Sequence, residues 1–162
     1  MRIVVLADTH LPGDVRTRLS ATLLDAMSSA DLVLHAGDVN SALAFDQLAQ
    51  MNELRAVLGN NDSELTGILT KEARFDLDGV RFAMLHDAGA RIRRPERLHQ
   101  RFPDAQVVVY GHSHVPDCQI GVDGQLLFNP GSPTQRRSQP HTTFGRIEIS
   151  DGLLSSWSIE DL

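Results

Sequence analysis

Seven side chains of this sequence are of a type and spacing that can do chemistry together: Asp8, His10, Asp38, Asn60, His86, His112 and His114. Each follows a short apolar run. Val4-Val5-Leu6-Ala7 leads into Asp8-Thr9-His10, Leu32-Val33-Leu34-His35-Ala36 into Gly37-Asp38, and Val57-Leu58 into Gly59-Asn60-Asn61-Asp62. Phe82-Ala83-Met84-Leu85 leads into His86-Asp87, and Val107-Val108-Val109-Tyr110 into Gly111-His112-Ser113-His114. The donors are carboxylate or amide oxygens and imidazole nitrogens, with no thiolate, a set that suits Mn, Fe or Zn better than copper or an iron–sulfur cluster. Seven ligands are too many for one closed site, but they suffice for two metals if one carboxylate bridges. Two metals roughly 3.5–4 Å apart are the arrangement that hydrolyses phosphate esters. A water bridging two cations loses its proton easily, and the same cations neutralise charge developing on the phosphoryl oxygens.

The elements that must hold these groups alternate at first between strands and helices. Arg2 to Ala7 reads as a buried strand, Leu32 to Leu34 as a second strand and Ala56 to Leu58 as a third, short one. Val15 to Ser28 reads as a helix, with Val15, Leu19, Leu23 and Met27 at fours, and Ser41 caps a second helix carrying Leu43, Leu48 and Met51 on one side. That alternation belongs to a parallel α/β sheet. In the second half Asp78-Gly79 sits between Phe75-Leu77 and Val80-Met84 as a two-residue hairpin signal. Pro95 opens a short helix ending near Phe102, and Gln106 to Tyr110 is another buried strand. Asp123-Gly124 joins two more strands, and Asp151-Gly152 joins Phe144–Ile149 to Leu153–Ile159. The second half therefore reads as mostly antiparallel, and a two-sheet sandwich with helices outside accommodates both halves. Ligands of open α/β sheets gather at the carboxyl ends of strands, so the five loops are expected to converge.

The chain has 162 residues, is 41% hydrophobic and 22% charged, and so is expected to form one folded domain over 1–162, neither disordered nor membrane-spanning. A formal charge of -6 argues against a general nucleic-acid surface and against long polymers as substrates. The single Cys118 rules out an internal disulfide. Asp8 interrupts the first apolar run too early for a signal-peptide core, and a cytoplasmic protein is expected. A homo-oligomer is left open.

The ordered series Asp-x-His, Gly-Asp, Gly-Asn-x-Asp, His, Gly-His-x-His resembles the calcineurin-like metallophosphoesterases, most closely their small single-domain phosphodiesterase branch. The resemblance runs from Asp8 to about Ser132 and includes Asn129-Pro130-Gly131-Ser132. It implies a four-layer α/β/β/α sandwich of two mixed β-sheets and two divalent ions, manganese first, with iron, zinc or nickel as alternatives. It implies that Asp8, His10, Asp38 and His114 hold one metal, and Asp38, Asn60, His86 and His112 the other. The implied activity is hydrolysis of small phosphate esters, diesters before monoesters, by a hydroxide bridging the ions. The competing class is a non-catalytic interaction scaffold of the same fold, like a retromer subunit. The chain departs from the family twice: Asn61 stands where the family usually has His, or Cys in the small branch, and Asp87 where glycine often follows the histidine. Asn61 can hydrogen-bond a phosphate oxygen but cannot serve as an acid.

Around this set, His112 is expected beside the leaving group, with Asn60 and Asn61 as neutral contacts to substrate. His112 and His114, two apart in extended backbone, are expected to point the same way. Asp62 is expected to tie down a ligand such as a histidine ring. Arg136 and Arg137 are candidates to bind the substrate's non-reacting part, against a solvated-surface alternative. Arg97 and Arg101 read as solvated helix face, His35 as a packed core histidine, His99 and His141 as surface, and Phe128, Phe144 and Trp157 as core.

Overall fold

The computed structural model describes residues 1–162, which form two five-stranded mixed sheets and three α-helices. The first sheet has the order β10-β9-β1-β2-β3, with β1 (Arg2–Leu6), β2 (Leu32–His35), β3 (Leu54–Ala56), β9 (Thr143–Ser150) and β10 (Leu153–Asp161). Strands β1, β2 and β3 run parallel, and β9 and β10 close the other side antiparallel. The second sheet has the order β4-β5-β6-β8-β7, with β4 (Glu72–Leu77), β5 (Val80–Leu85), β6 (Val107–Val109), β7 (Asp117–Ile120) and β8 (Leu126–Asn129). Helices α1 (Ala21–Ser29) and α2 (Ala42–Met51) cover the first sheet, and α3 (Arg94–Arg101) covers the second.

Alternation along the strands produces the layers. In β1, Ile3 and Val5 face the second sheet and join Phe82, Met84, Val107, Val109 and Phe128 in the inter-sheet core, while Val4 and Leu6 face outward onto Leu23, Met27, Ala44 and Leu48 of the helices. Val108 and Leu127 face outward onto Leu98 and Phe102. A strand buried on both faces must be apolar throughout, which is why the runs before the candidate ligands lack a polar alternation. The result is the four-layer sandwich.

Several expectations shift. The apolar residues of Val15 to Ser28 do face the core, but the helix breaks. Asp14 caps a single 3-10 turn at Val15–Thr17, and Ser20 restarts the chain as α1 by accepting from the Leu23 amide. Two competing cap residues outweigh the periodicity between them. Strand β3 lies two residues earlier than Ala56–Leu58. Leu43 is exposed, and α2 buries Ala44 and Leu48 instead. The second half pairs mostly antiparallel, through β4–β5, β7–β8 and β9–β10, but β5, β6 and β8 are parallel neighbours within it. Phe128 and Phe144 are core, but Trp157 is 38% exposed because β10 is a sheet edge with nothing beyond it. No helix is long and apolar enough to cross a membrane.

Candidate metal centre

The five loops meet at one end of the sandwich, beyond the carboxyl ends of β1, β2, β3, β5 and β6. Backbone bonds stitch them together: the Asp8 amide donates to the Gly37 carbonyl, the His10 amide to that of Asp38, and the Gly111 amide to that of His86. The Asn129–Ser132 segment adds two more ties. Ser132 Oγ donates to the Asp8 carbonyl at 2.7 Å, and Asn129 Nδ2 donates to the Gly111 carbonyl at 3.0 Å. Asp8, His10, Asp38, His112 and His114 all have φ between +43 and +71, the left-handed region that non-glycine residues avoid. Each such residue carries about 1 kcal/mol or more of strain, and the surrounding bonds hold it there. His112 and His114 are therefore not extended, and they point to opposite halves of the site.

All seven candidate ligands converge. His10 Nε2 is 3.1 Å from His114 Nε2, and His114 Nε2 is 3.6 Å from Asp8 Oδ1. His86 Nε2 lies 3.5 Å from Asp38 Oδ2, 4.0 Å from Asp8 Oδ1 and 3.0 Å from Asn60 Oδ1. His112 Nδ1 lies 2.9 Å from the same Asn60 oxygen. Asp38 Oδ2 stands between the two groups, 3.8 Å from His10 Nε2 and 3.5 Å from His86 Nε2. Asp8 likewise borders both, since Asp8, His10 and His114 form one set of mutually close ligand atoms and Asp8, Asp38 and His86 another.

The donor chemistry fits cations. His10 Nδ1 meets Asn40 Oδ1, His86 Nδ1 meets the Ala36 carbonyl, and His114 Nδ1 meets the Gln135 carbonyl, at 2.7 to 3.0 Å. Those oxygens only accept, so the ring hydrogens sit on Nδ1, and in each neutral ring Nε2 is left a lone pair facing the centre. Both oxygens of Asp8 are buried without any hydrogen-bond partner. A wholly buried carboxylate facing lone pairs is unfavourable unless a positive ion satisfies it. Burial pushes the Asp8 carboxyl up to about 7. Burial also raises Asp38, but bonds from His86 and Asn61 outweigh it and hold that carboxyl well below the usual range. His86 is raised, because Asp38 and the Ala36 carbonyl outweigh the burial that disfavours its charged ring. His114 is lowered by burial, with the Gln135 carbonyl opposing.

The supporting residues differ from the expectations. Asp62 is buried and holds backbone, not a histidine ring: its carboxylate accepts from the amides of Asp38, Asn40 and Gly59 at 2.7 to 2.9 Å. Asn61 donates through Nδ2 to Asp38 Oδ2 at 2.6 Å and through its amide to Oδ1. His35 is buried, accepts the Gly37 amide on Nδ1 and meets Thr9 Oγ1 at 2.9 Å, so it braces two ligand loops from below. Gly59 admits no side chain, since a Cβ there would lie 2.1 Å from the Asp38 amide nitrogen. Arg136 turns onto its own loop and donates to the Gln139 carbonyl. The Arg137 charge acts on Asp8 and His114. Arg97 and Arg101 lie exposed on the α3 face as expected, but each is also engaged, Arg97 with the carbonyls of Ala88 and Ala90 and Arg101 with Glu72. Asp87 accepts the Gly89 amide. Sequence reasoning passed over Asn40, whose place two residues after Asp38 was the available signal, and Gln135, whose role is played by its carbonyl and leaves no signal.

A family model for the calcineurin-like phosphoesterase superfamily domain matches residues 1–152. A relative from Methanothermobacter thermautotrophicus, named a probable metallophosphoesterase, is 32% identical over 154 residues, covering 91% of this chain and 87% of the relative. Among solved structures, a conserved Streptococcus pneumoniae protein described as a predicted phosphoesterase superposes with a TM-score of 0.76 at 24% identity, covering 99% of this chain and 88% of that one. Wild-type Vps29 of Entamoeba histolytica, complexed with Zn²⁺, superposes with a TM-score of 0.76 at 21% identity, covering 100% and 98%. At these identities the two structures establish the shared fold.

Proposed function

This chain belongs to the calcineurin-like phosphoesterase superfamily, and from that premise we propose that it hydrolyses small phosphate esters, diesters before monoesters, with two divalent ions held by Asp8, His10, Asp38, Asn60, His86, His112 and His114. The observation that carries this reading is the unpartnered, buried Asp8 carboxylate among histidine lone pairs. Asp38 lies between the two groups and would touch both ions. When bound, the two ions supply an activated water and neutralise charge on the phosphoryl oxygens. Manganese is the ion of first choice, and the cytoplasm the place of action.

The chain's own residues do the rest. His112 is the exposed histidine of the set and presents Nδ1 to Asn60, so it stands where a substrate phosphoryl group enters. Asn60 and Asn61 are exposed amides beside it and offer neutral contacts to phosphate oxygens. Asp62 and His35 keep the Asp38 loop in place without touching substrate. A pure scaffold has no use for an unpartnered buried carboxylate or for five strained ligand positions, which disfavours that alternative.

The direct test is a panel of phosphodiesters and monoesters with the protein purified without chelator and with Mn²⁺ added. Turnover is expected to require metal and to vanish after exhaustive chelation and dialysis. Undiminished turnover after that treatment overturns the reading. A second expectation follows from Asn61, which supplies amide hydrogens but no acid. General-acid help is worth about 10²–10⁴-fold and matters most when the leaving oxygen is strongly basic. Aryl esters with acidic phenols are therefore expected to react much faster than alkyl esters, and Asn61→His to improve the alkyl substrates selectively. A flat dependence of kcat/KM on leaving-group pKa in the native protein rejects the missing-acid idea.

A further inference from the structure

A pocket of about 360 Å³ adjoins the candidate ligands on one side only. Asn60, His86 and His112 form one of its walls, and His10 and His114 take no part in it. Leu58 and Leu85 supply its apolar surface, and Lys71, Asp87 and Arg101 its remaining charge. The volume falls in the range of small-molecule sites, large enough for an aryl or nucleoside-sized group attached to a phosphoryl group at the ligands.

The charges are not equivalent. Arg101 is already paired with the Glu72 carboxylate, and its guanidinium carbon lies 5.5 Å from the Phe102 ring centre. Asp87 is turned back to accept the Gly89 amide. Lys71, the chain's only lysine, makes no salt bridge and no side-chain hydrogen bond and stands exposed immediately before β4. It is the one cation of the pocket without a compensating anion. In a protein of formal charge -6, an anionic substrate group needs a local cation to dwell there. Arg136, bonded to Gln139, does not supply it.

The geometry points to Lys71 as a specificity-determining residue: the pocket takes the non-reacting part of a phosphate ester with an apolar body and an anionic group at its far end, a carboxylate or a second phosphate, held by the Lys71 ammonium. This inference rests on the hydrolase reading above and deepens it. An uncompensated ammonium gains one charge-assisted contact with such a group and nothing with a neutral one. Its effect belongs to binding and not to the chemical step, so it is expected in KM and not in kcat.

The test uses two nitrophenyl diesters, identical except that one tail ends in a carboxylate and the other in a carboxamide, with Mn²⁺-loaded protein. The carboxylate substrate is expected to show a KM about tenfold lower. Lys71→Gln should raise that KM about tenfold at unchanged kcat and leave the carboxamide substrate alone, while Lys71→Arg should retain the preference. Calorimetry with a non-hydrolysable phosphonate carrying the same carboxylate tail should show the same ratio in Kd. Equal KM for both tails, or a preference that survives Lys71→Gln, overturns the inference while leaving the hydrolase reading intact. Failure of the metal-loaded protein to cleave either diester counts against the hydrolase reading itself, and the inference falls with it.

Discussion

Asp38→Ala is expected to lower phosphoester turnover by more than about 10³-fold, beyond the roughly 10–100-fold loss that follows removal of an outer partner of a metal ligand. Its Oδ2 lies within 4 Å of both His10 Nε2 and His86 Nε2 and also receives Asn61 Nδ2, so one truncation opens both halves of the centre. Metal content read by elemental analysis should fall below two ions per chain, and further than for any other single ligand. The fold should survive, because the Asp38 backbone remains held by Asp62 and by the His10 amide. A variant that kept both ions would disprove the bridging role, whatever its activity.

Asp8→Asn should do something unusual for a ligand substitution: it should make the metal-free protein more stable. Burial raises the Asp8 carboxyl from its ordinary 3.8 to about 7 in the folded chain. The folded state thus binds this proton more tightly than the unfolded state. Its contribution to stability is whole below pH 3.8 and drains away as pH rises through 7. The full deficit is on the order of 4 kcal/mol. An asparagine cannot ionise and escapes it. Metal-free Asp8→Asn should therefore unfold about 8–16 °C above the metal-free native protein at pH 8, with the gap closed by pH 4. Added Mn²⁺ should reverse the order, since a carboxylate gains more from the ion than a neutral amide does. A gap independent of pH would place its cause elsewhere than in the Asp8 charge.

Much of this centre was legible before any coordinates, for a physical reason. A parallel strand buried on both faces is written as an unbroken apolar run, and the first polar residue after it marks the strand's carboxyl end. Asp8, Asp38, His86 and His112 are each marked in that way, and Asn60 by the short apolar run Val57-Leu58 after half-buried β3, so their convergence follows from topology. The hairpin at Asp78-Gly79 was legible because its residues tolerate positive φ. Directions of backbone and long side chains were not. Nothing in the spacing of His112 and His114 distinguishes an extended dipeptide from two left-handed residues. The five arginines between Arg91 and Arg101 look alike in sequence, yet Arg97 staples a loop and Arg101 pairs with Glu72. Lys71 carries no local signal, because its importance comes from a pocket whose walls lie on distant strands. The break at Ser20 and the parallel run of β5, β6 and β8 were lost for a related reason: caps compete locally, and strand order is decided by packing between sheets.

The place of β1 beside β9 bears on how the chain is made. The Met1 amino group bonds the carbonyl of Ile149, 148 residues further on, and Arg2 to Val5 pair with Glu148 to Gly145. At about 5–20 residues per second, a ribosome that has produced β1 needs roughly seven to thirty seconds to deliver that neighbour. Through this interval one side of an apolar strand has no partner, an invitation to pair with another nascent chain. The β1–β2 pair and the loops after them can form early, but their sheet stays open until Thr143–Ser150 emerges. A message cut short before that point yields a chain with several metal ligands and an unsealed edge, a substrate for chaperones and proteases.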